Sequence, residues 1–247
     1  MRLANLLLVF IALVFSGGAS AAELTPHTAE YKVSAGIAGG RMNTSLIRVG
    51  EQFHAKHSVR PTGLARMLTS STIVESSTFE SNDGLLMPTQ YQSNDGISKD
   101  KGTIELVFDW EEEKLSGTVD LEDAAPVTVD QSLTELLHDR ISIQYQLMQD
   151  LADGTERTVY RMYDPDGTRV LHITRLGDKR IKVRGKRYDA VGIRHQREGS
   201  SRTTTLWCVP ALDYLPVLIE QRRKDELKAR ISLLRYTATA LPSEPPA

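Results

Sequence analysis

Residues 227–236 read LKARISLLRY, and apolar residues alternate with polar ones through most of this run. Leu227, Ala229, Ile231 and Leu233 share one face of an extended chain, because successive side chains of a strand point to opposite sides. The same alternation occurs in residues 179–184 and 191–196. One apolar face and one polar face are typical of antiparallel strands that are buried on one side only.

Turn sequences separate these runs. Asn-Asp-Gly stands at 82–84 and again at 94–96, and Asp-Pro-Asp-Gly stands at 164–167. Such residues accept positive φ and bond their own backbone, which suits hairpin ends. The spacing predicts about ten to thirteen strands. A sheet of that size must curl to protect its edges, so we predict a mainly β fold: a curled antiparallel sheet, as a barrel, half-barrel or β-roll, with one mid-chain α-helix.

The helix is predicted over residues 133–152. Apolar residues recur there at spacings of three and four, which traces one stripe of a helix; they are Leu133, Leu137, Ile141, Tyr145, Met148 and Ala152. Ser132 and Glu135 have the spacing of a capping box, and Gly154 stands where a C-terminal cap belongs. We expect the helix to pack between two β halves of one domain.

The first 21 residues have the pattern of a cleavable export signal. Arg2 precedes an apolar run at residues 6–15, and small residues at Ala19 and Ala21 fit the cleavage rule. The run is shorter than the roughly twenty residues that cross a bilayer. We therefore expect a signal peptide at 1–21, a single β-rich domain at 22–240 and a disordered, proline-rich tail at 241–247. The expected location is the periplasm.

Charge and cysteine content narrow the possible classes of protein further. Without Arg2, 29 of the 30 basic residues remain against 32 acidic ones, a formal charge of −3. This near-neutral balance gives no support to nucleic-acid binding. The single cysteine, Cys208, is far from the cleavage site, so no lipoprotein anchor is expected, and one cysteine permits no internal disulfide. No apolar run in the mature chain suggests an integral membrane protein.

Several stretches resemble a family of exported bacterial proteins known as domain of unknown function 3108 (DUF3108). They include residues 31–33, 108–110, 138–147, 207–210 and 214–220, so the resemblance covers most of the mature chain. It implies a periplasmic, β-rich protein and carries no catalytic mechanism. The positions that carry it best are Asp109, Trp110, Asp139, Ser142, Trp207, Pro210, Tyr214 and Pro216.

Three groups of residues invite a chemical interpretation. His54 and His57 are three apart in a predicted strand, which sends them to opposite faces and away from a shared metal. His138 and Asp139 are neighbours on the predicted helix, so they point about a hundred degrees apart and cannot orient each other as in a catalytic triad. The acidic run at 109–113 offers no loop of the calcium-binding type. We expect no catalytic residue, metal or cofactor.

A block of basic residues is the most distinctive feature of the chain. It comprises Lys179, Arg180, Lys182, Arg184, Lys186 and Arg187. If neighbouring strands gather these side chains, the patch could meet lipid phosphates, lipopolysaccharide or an acidic envelope protein. The alternative is that outward lysine and arginine only protect a sheet edge from aggregation.

Three functions are compatible with these observations. The first is a non-catalytic periplasmic protein that holds an apolar or lipid-like ligand on the concave side of its sheet. The second is an envelope scaffold or interaction protein that uses the basic block. The third and least supported is a hydrolase that uses His138 or Asp139, because no convergent base, nucleophile and oxyanion donor can be named.

Overall fold

The computed structural model describes residues 24–98 and 101–239. The predicted signal peptide at 1–21 and the proline-rich tail at 241–247 lie outside these residues. The elements in chain order are β1 (His27–Ala35), β2 (Ala38–Val49), β3 (Gln52–Thr62), α1 (Ala65–Leu68), β4 (Ile73–Asn82), β5 (Leu85–Asp95), β6 (Gly102–Asp109), β7 (Lys114–Leu121), β8 (Val127–Ser132), α2 (Ser142–Asp153), β9 (Val159–Asp164), β10 (Gly167–Val183), β11 (Lys186–Arg197), β12 (Arg202–Val209), a 3₁₀ turn (Pro210–Leu212), β13 (Leu215–Arg223) and β14 (Glu226–Ala238).

The strands form one antiparallel sheet in the order β8-β7-β6-β5-β4-β3-β2-β1-β14-β13-β12-β11-β10-β9. Each strand pairs with its sequence neighbour, except that β1 also pairs with β14 and so joins two meanders, the N-terminal half (β1–β8) and the C-terminal half (β9–β14). No pairing joins β8 to β9 in the described residues, so the sheet is curled but not closed. The predicted mainly β fold with one main mid-chain helix is confirmed.

The number of strands exceeds the prediction. Fourteen strands form in the described residues, against the expected ten to thirteen. The alternation is weak in β8, where only Val129 of the six residues is buried.

Two of the three turn predictions are confirmed: Asp83 and Gly84 take positive φ between β4 and β5, and Gly167 does so at the start of β10. At 94–96 the prediction of positive φ is wrong, since Asn94 and Asp95 belong to β5 and Gly96 has no positive φ.

The start of the helix differs from the prediction. Helix α2 begins at Ser142, while Ser132 ends β8 and Glu135 forms an ion pair with Arg161, so the predicted capping box is wrong. Leu133, Leu137 and Ile141 are buried from a non-helical segment, which produces the same apolar spacing without a helix. The predicted end is confirmed, since Gly154 has φ 70° and closes α2.

The segment before α2 lies against β9, the free edge of the C-terminal half. The His138 N–H donates to the Arg161 carbonyl at 3.0 Å, and the Tyr163 N–H donates to the His138 carbonyl at 2.8 Å. Backbone groups that an edge strand would leave unpaired are thereby satisfied. The chain thus passes from edge β8 to edge β9 and places α2 between the two halves of the sheet.

Helix α2 is buried on almost every side, which positions the core and the candidate site. Tyr145 and Met148 join a large cluster that contains most of the buried residues of β1–β8 and also buried residues of β9–β14, while Ile143, Leu147 and Leu151 join a second cluster built on β9–β12. Each such side chain contributes about 2 kcal/mol by leaving water. The helix is therefore a shared core element of both halves.

Candidate functional site

A cleft opens where the C-terminal end of α2 meets the C-terminal half of the sheet. Its volume is about 250 Å³. The apolar part of its wall comes from Leu147 and Leu151 of α2, Ile173 of β10 and Ile193 of β11. Three of these side chains are buried, and Ile173 is half-buried. The remaining lining residues are Asp150, Thr155, Glu156, Arg157, Thr158, Tyr160 and Arg175.

A polar junction around Asp150 forms one wall of the cleft. This buried carboxylate accepts hydrogen bonds from the Gln146 amide at 2.7 Å and from the Tyr160 hydroxyl, and the Arg157 Nε lies 3.2 Å from it. Burial, followed by the bond to Asp150, raises the pKa of the Tyr160 hydroxyl. The junction fixes the last turn of α2 to β9, so the cleft has a rigid wall.

Two arginines line the cleft, and of these Arg157 is paired with Asp150. Arg157 is half-buried, and its guanidinium carbon lies 5.6 Å from the centroid of the Tyr160 ring. Arg175 is exposed and forms no ion pair with any residue that the structure describes. Glu156 is the exposed acidic residue of the lining. An apolar wall beside a free guanidinium suits a ligand with one apolar and one anionic part.

The structure separates the basic block into two groups. Arg180 is engaged by Asp189, with Nε and Oδ1 2.7 Å apart. The Lys179 ammonium lies 5.6 Å from the Trp207 ring centroid, and the Lys186 ammonium lies 5.0 Å from that of Tyr188. Together with exposed Arg187, these residues do not line the groove described next.

Lys182 and Arg184 line what we call the basic groove. Its volume is about 670 Å³. Its basic lining comprises Lys32, Lys182, Arg184, Lys228 and Arg230, and its other lining residues are Ser34, Gly36, Val183, Leu218, Leu227, Ala229 and Ser232. Lys182 and Arg184 belong to the basic block that the sequence predicted. Lys32, Lys228 and Arg230 come from strands far away in sequence and add to the charge of the groove.

His138 and Asp139 are buried inside the structure rather than open to a substrate. The Asp139 carboxylate accepts hydrogen bonds from the Ser77 hydroxyl at 2.6 Å and from the N–H groups of Ile141 and Ser142 at 2.7 and 2.9 Å. The Asp139 N–H donates to Ser142 Oγ at 3.0 Å. Asp139 thus caps the start of α2 and fixes it to β4, which argues against a hydrolase built on this pair.

His138 is equally enclosed. Its ring is 1% exposed, and neither ring nitrogen has a hydrogen-bond partner among the described residues. Burial lowers its pKa to about 3. A neutral imidazole without access to solvent cannot exchange protons with a bound substrate.

The two other sequence candidates lie apart from both sites. His57 is buried on one face of β3, while His54 lies on the opposite face, where its Nδ1 is 3.1 Å from Thr78 Oγ1. The Asp109 carboxylate accepts hydrogen bonds from the N–H groups of Glu111 and Glu112 at the β6–β7 turn. In the described ranges, no three histidine, cysteine or acidic residues are grouped as metal ligands would be.

The family can now be stated. Residues 28–232 match the model of the family described as "Protein of unknown function (DUF3108)". The chain belongs to the DUF3108 family. The match covers both halves of the sheet, α2, and all the lining residues of the cleft and of the basic groove.

Residues that carry the DUF3108 resemblance act mainly on the structure. Asp139 and Ser142 cap α2, and Trp110 donates from its indole to the Pro88 carbonyl at 2.6 Å. Trp207 packs on Gly192, where an added Cβ would come within 2.7 Å of the ring. These contacts fix helices, turns and strand packing.

Three further residues that carry the DUF3108 resemblance, Pro210, Tyr214 and Pro216, lie in or beside one turn. Pro210 begins the 3₁₀ turn after β12, Asp213 and Tyr214 follow with positive φ, and buried Pro216 pairs with Cys208 at a bulge. Tyr214 contacts both core clusters. This turn therefore connects the two clusters on which α2 packs.

A solved structure has a similar fold. It is described as a beta-barrel-like protein of domain of unknown function DUF1849 from Brucella abortus. The TM-score is 0.57 at 11% identity, and the alignment covers 89% of this chain and all of that chain. At this identity the likeness shows the fold alone. No curated protein sequence matches the chain.

Within residues 24–98 and 101–239, neither α-helix has the length and hydropathy needed to cross a bilayer.

Sequence reasoning missed the cleft. Arg157 and Tyr160 lie in the connection after α2 and at the start of β9, where no repeating pattern marks them. Asp150 carried the only usable signal, because an acidic residue in the last turn of a helix opposes the helix dipole and needs a positive partner nearby.

Proposed function

We propose that this protein is a non-catalytic, exported binding protein of the bacterial envelope, and that its ligand is a small amphiphile with an anionic end. The observation that carries the proposal is the cleft, where the apolar wall of Leu147, Leu151 and Ile193 meets the free guanidinium of Arg175. Burial of a short alkyl chain would contribute about 0.8 kcal/mol per methylene, and Arg175 would select the anionic end.

The cleft supports this proposal better than the concave face of the sheet does. That face is occupied by α2 and by aromatic side chains, including Tyr145, whose ring centroid is 5.6 Å from that of Phe79. Ligand pockets commonly enclose about 300–1,000 Å³. At about 250 Å³, the cleft suits a short acyl chain rather than a whole two-chain lipid.

Binding of a short fatty acid tests the proposal. Purified protein lacking residues 1–21 is titrated with octanoic acid by isothermal titration calorimetry, and native mass spectrometry determines the stoichiometry. We expect saturable binding of one molecule. Octanol, which lacks the carboxylate, should bind about fivefold more weakly, the equivalent of one exposed ion pair.

Two variants locate the site. Ile173→Trp fills the cleft and should abolish binding, and Arg175→Glu should weaken binding of the acid but not of the alcohol. Matched controls are Ile47→Trp, at a side chain that is 48% exposed on β2, and Arg66→Glu on α1. Wild-type protein that binds neither probe, or variants that bind as wild type does, would contradict the proposal.

A further inference from the structure

The basic groove has two walls that come from distant parts of the chain. One wall lies on β1, β13 and β14, where Lys32 pairs with Ser232, Ser34 pairs with Arg230 and Leu218 pairs with Ser232. The other wall is the end of the β10–β11 hairpin, which contributes Lys182, Val183 and Arg184. The register of the sheet therefore gathers five cationic side chains around one concave surface.

The charge of this groove is only partly neutralised. Arg230 pairs with Glu220 at 2.5 Å, and Lys228 pairs with Glu226 at 2.7 Å. Lys32, Lys182 and Arg184 are exposed and form no ion pair with any residue of the described ranges. The carboxylate of Glu30 also interacts electrostatically with Arg184. The hydrogen bond that Glu30 accepts from Arg41 lowers the pKa of Glu30, and the charge of Arg184 lowers it further. Three free cations thus remain on the groove.

Apolar side chains lie directly beside these cations. Val183 is buried, Leu218 is half-buried and Leu227 is 40% exposed, and all three line the groove. A site for a free inorganic anion would need only donors and positive charge. Positive charge combined with exposed aliphatic surface suits the boundary between a phosphate headgroup and its acyl chains.

We infer that the basic groove binds the phosphate-bearing headgroup of an anionic lipid in a membrane surface. Lys182 and Arg184 reach the phosphate from the hairpin, Lys32 reaches it from β1, and Ser34 and Ser232 supply hydroxyl donors between them. Leu218 and Leu227 contact the first part of the acyl chains. The groove is separate from the cleft, so this inference does not depend on the proposed function.

Arg184 offers a test that separates binding from folding. It occupies the first position of the two-residue turn Arg184–Gly185, with φ of 50° and 90°. Turns of this type prefer asparagine or glycine at that position, since arginine has no side-chain bond that favours positive φ. Arg184→Asn should therefore preserve or increase stability while it removes a charge from the groove.

The experiment measures co-sedimentation of the protein lacking residues 1–21 with vesicles. Wild type should bind vesicles of phosphatidylcholine mixed with phosphatidylglycerol and should not bind phosphatidylcholine alone. Each charge removed by Arg184→Asn or Lys182→Gln should weaken the apparent affinity about fivefold, and the double variant about 25-fold. The control variant Lys114→Gln, on β7 and outside the lining of the groove, should bind as wild type does.

Three results would overturn the inference. Equal binding to both kinds of vesicle would show adsorption by apolar surface alone. Unchanged affinity in the double variant, with an unchanged thermal transition, would place the contact elsewhere. Saturable binding of inorganic phosphate without vesicle binding would show a small-anion site. Ile173→Trp, which fills the cleft, should leave vesicle binding unchanged, so a failure of one proposal can be told from a failure of the other.

Discussion

On its Tyr145 side, α2 packs against rings of the N-terminal half, whereas on its Leu147 side it packs against mostly aliphatic residues of the C-terminal half. The Tyr145 ring lies within 6.4 Å, between centroids, of His27, His57 and Phe79. The Leu147 side meets Leu171, Val191 and Ile193, and the cleft opens beside it. One helix thus completes a filled core on one side and borders a small open site on the other.

The difference lies in the side chains on the two sides of the same helix. On the Tyr145 side, aromatic rings fill the space between α2 and strands of the N-terminal half. On the Leu147 side, shorter aliphatic side chains leave a cleft at the end of α2, beside the polar junction at Asp150. Substitutions on the two sides should therefore have different consequences.

The largest expected effect is the loss of Tyr145. Tyr145→Ala removes a fully buried ring and should lower the free energy of unfolding by about 4 kcal/mol, because an enclosed cavity remains. Leu147→Ala opens toward the cleft, where neighbours and water can adjust, so we expect about 2 kcal/mol. Urea denaturation followed by tryptophan fluorescence measures both. Equal losses would contradict the assignment of a filled side and an open side.

The next effect is at the start of α2. Asp139→Ala leaves the Ser77 hydroxyl and two backbone N–H groups without their acceptor in the core, so we expect a loss of about 3 kcal/mol. Asp109→Ala is the matched control, since Asp109 caps an exposed turn, and should lose about 1 kcal/mol or less. If Asp139→Ala and Asp109→Ala lose the same free energy of unfolding, the buried cap is not a major source of stability.

Acidic pH should lower the free energy of unfolding through His57, which packs beside Tyr145. Burial lowers the pKa of His57 to about 4 from 6.5. The unfolded chain therefore takes up a proton at a higher pH than the folded chain does, so the stability present above pH 6.5 is lost as the pH falls toward 4. Between about pH 7 and pH 5 the His57 contribution to the loss should be about 2 kcal/mol. His138, whose pKa burial lowers to about 3, adds to the total loss in the same direction. His57→Gln should therefore reduce the total loss by about 2 kcal/mol in urea titrations at the two pH values; an unchanged loss would show that His57 does not titrate in this way.

The smallest expected effect on stability is in the cleft itself. Ile173→Trp adds a ring to a half-buried position beside open space, so the free energy of unfolding should change by less than about 1 kcal/mol. Ligand binding should nevertheless be lost. A large destabilisation would mean that the cleft is tightly packed in solution and offers no room for a ligand.

Sequence reasoning succeeded where one pattern has one structural cause. Alternation predicted β14 as a strand, in which Leu233 is buried and Ala229 and Ile231 are half-buried, although Leu227 is 40% exposed. Gly154 predicted the end of α2. It failed at the start of the helix, because Leu133 and Leu137 are buried from a non-helical segment. The true cap, Asp139 with Ser142, lacks the Glu or Gln that makes a capping box recognisable.

The sites were harder to predict because they are assembled from distant parts of the chain. Lys182 and Arg184 were found as part of a local basic block, but Lys32 and Arg230 join them only through the pairing of β1 with β14. The cleft depends on α2 ending beside β10 and β11, which no local pattern encodes. Strand pairing and helix placement, rather than composition, determine both sites.

Hydrogen exchange with and without a medium-chain fatty acid tests the central claim most directly. The account predicts slower amide exchange in residues 147–160 and 171–175, which border the cleft, and unchanged exchange in β2–β7 of the filled side. Protection confined to the N-terminal half, or no protection at saturating fatty acid, would contradict it.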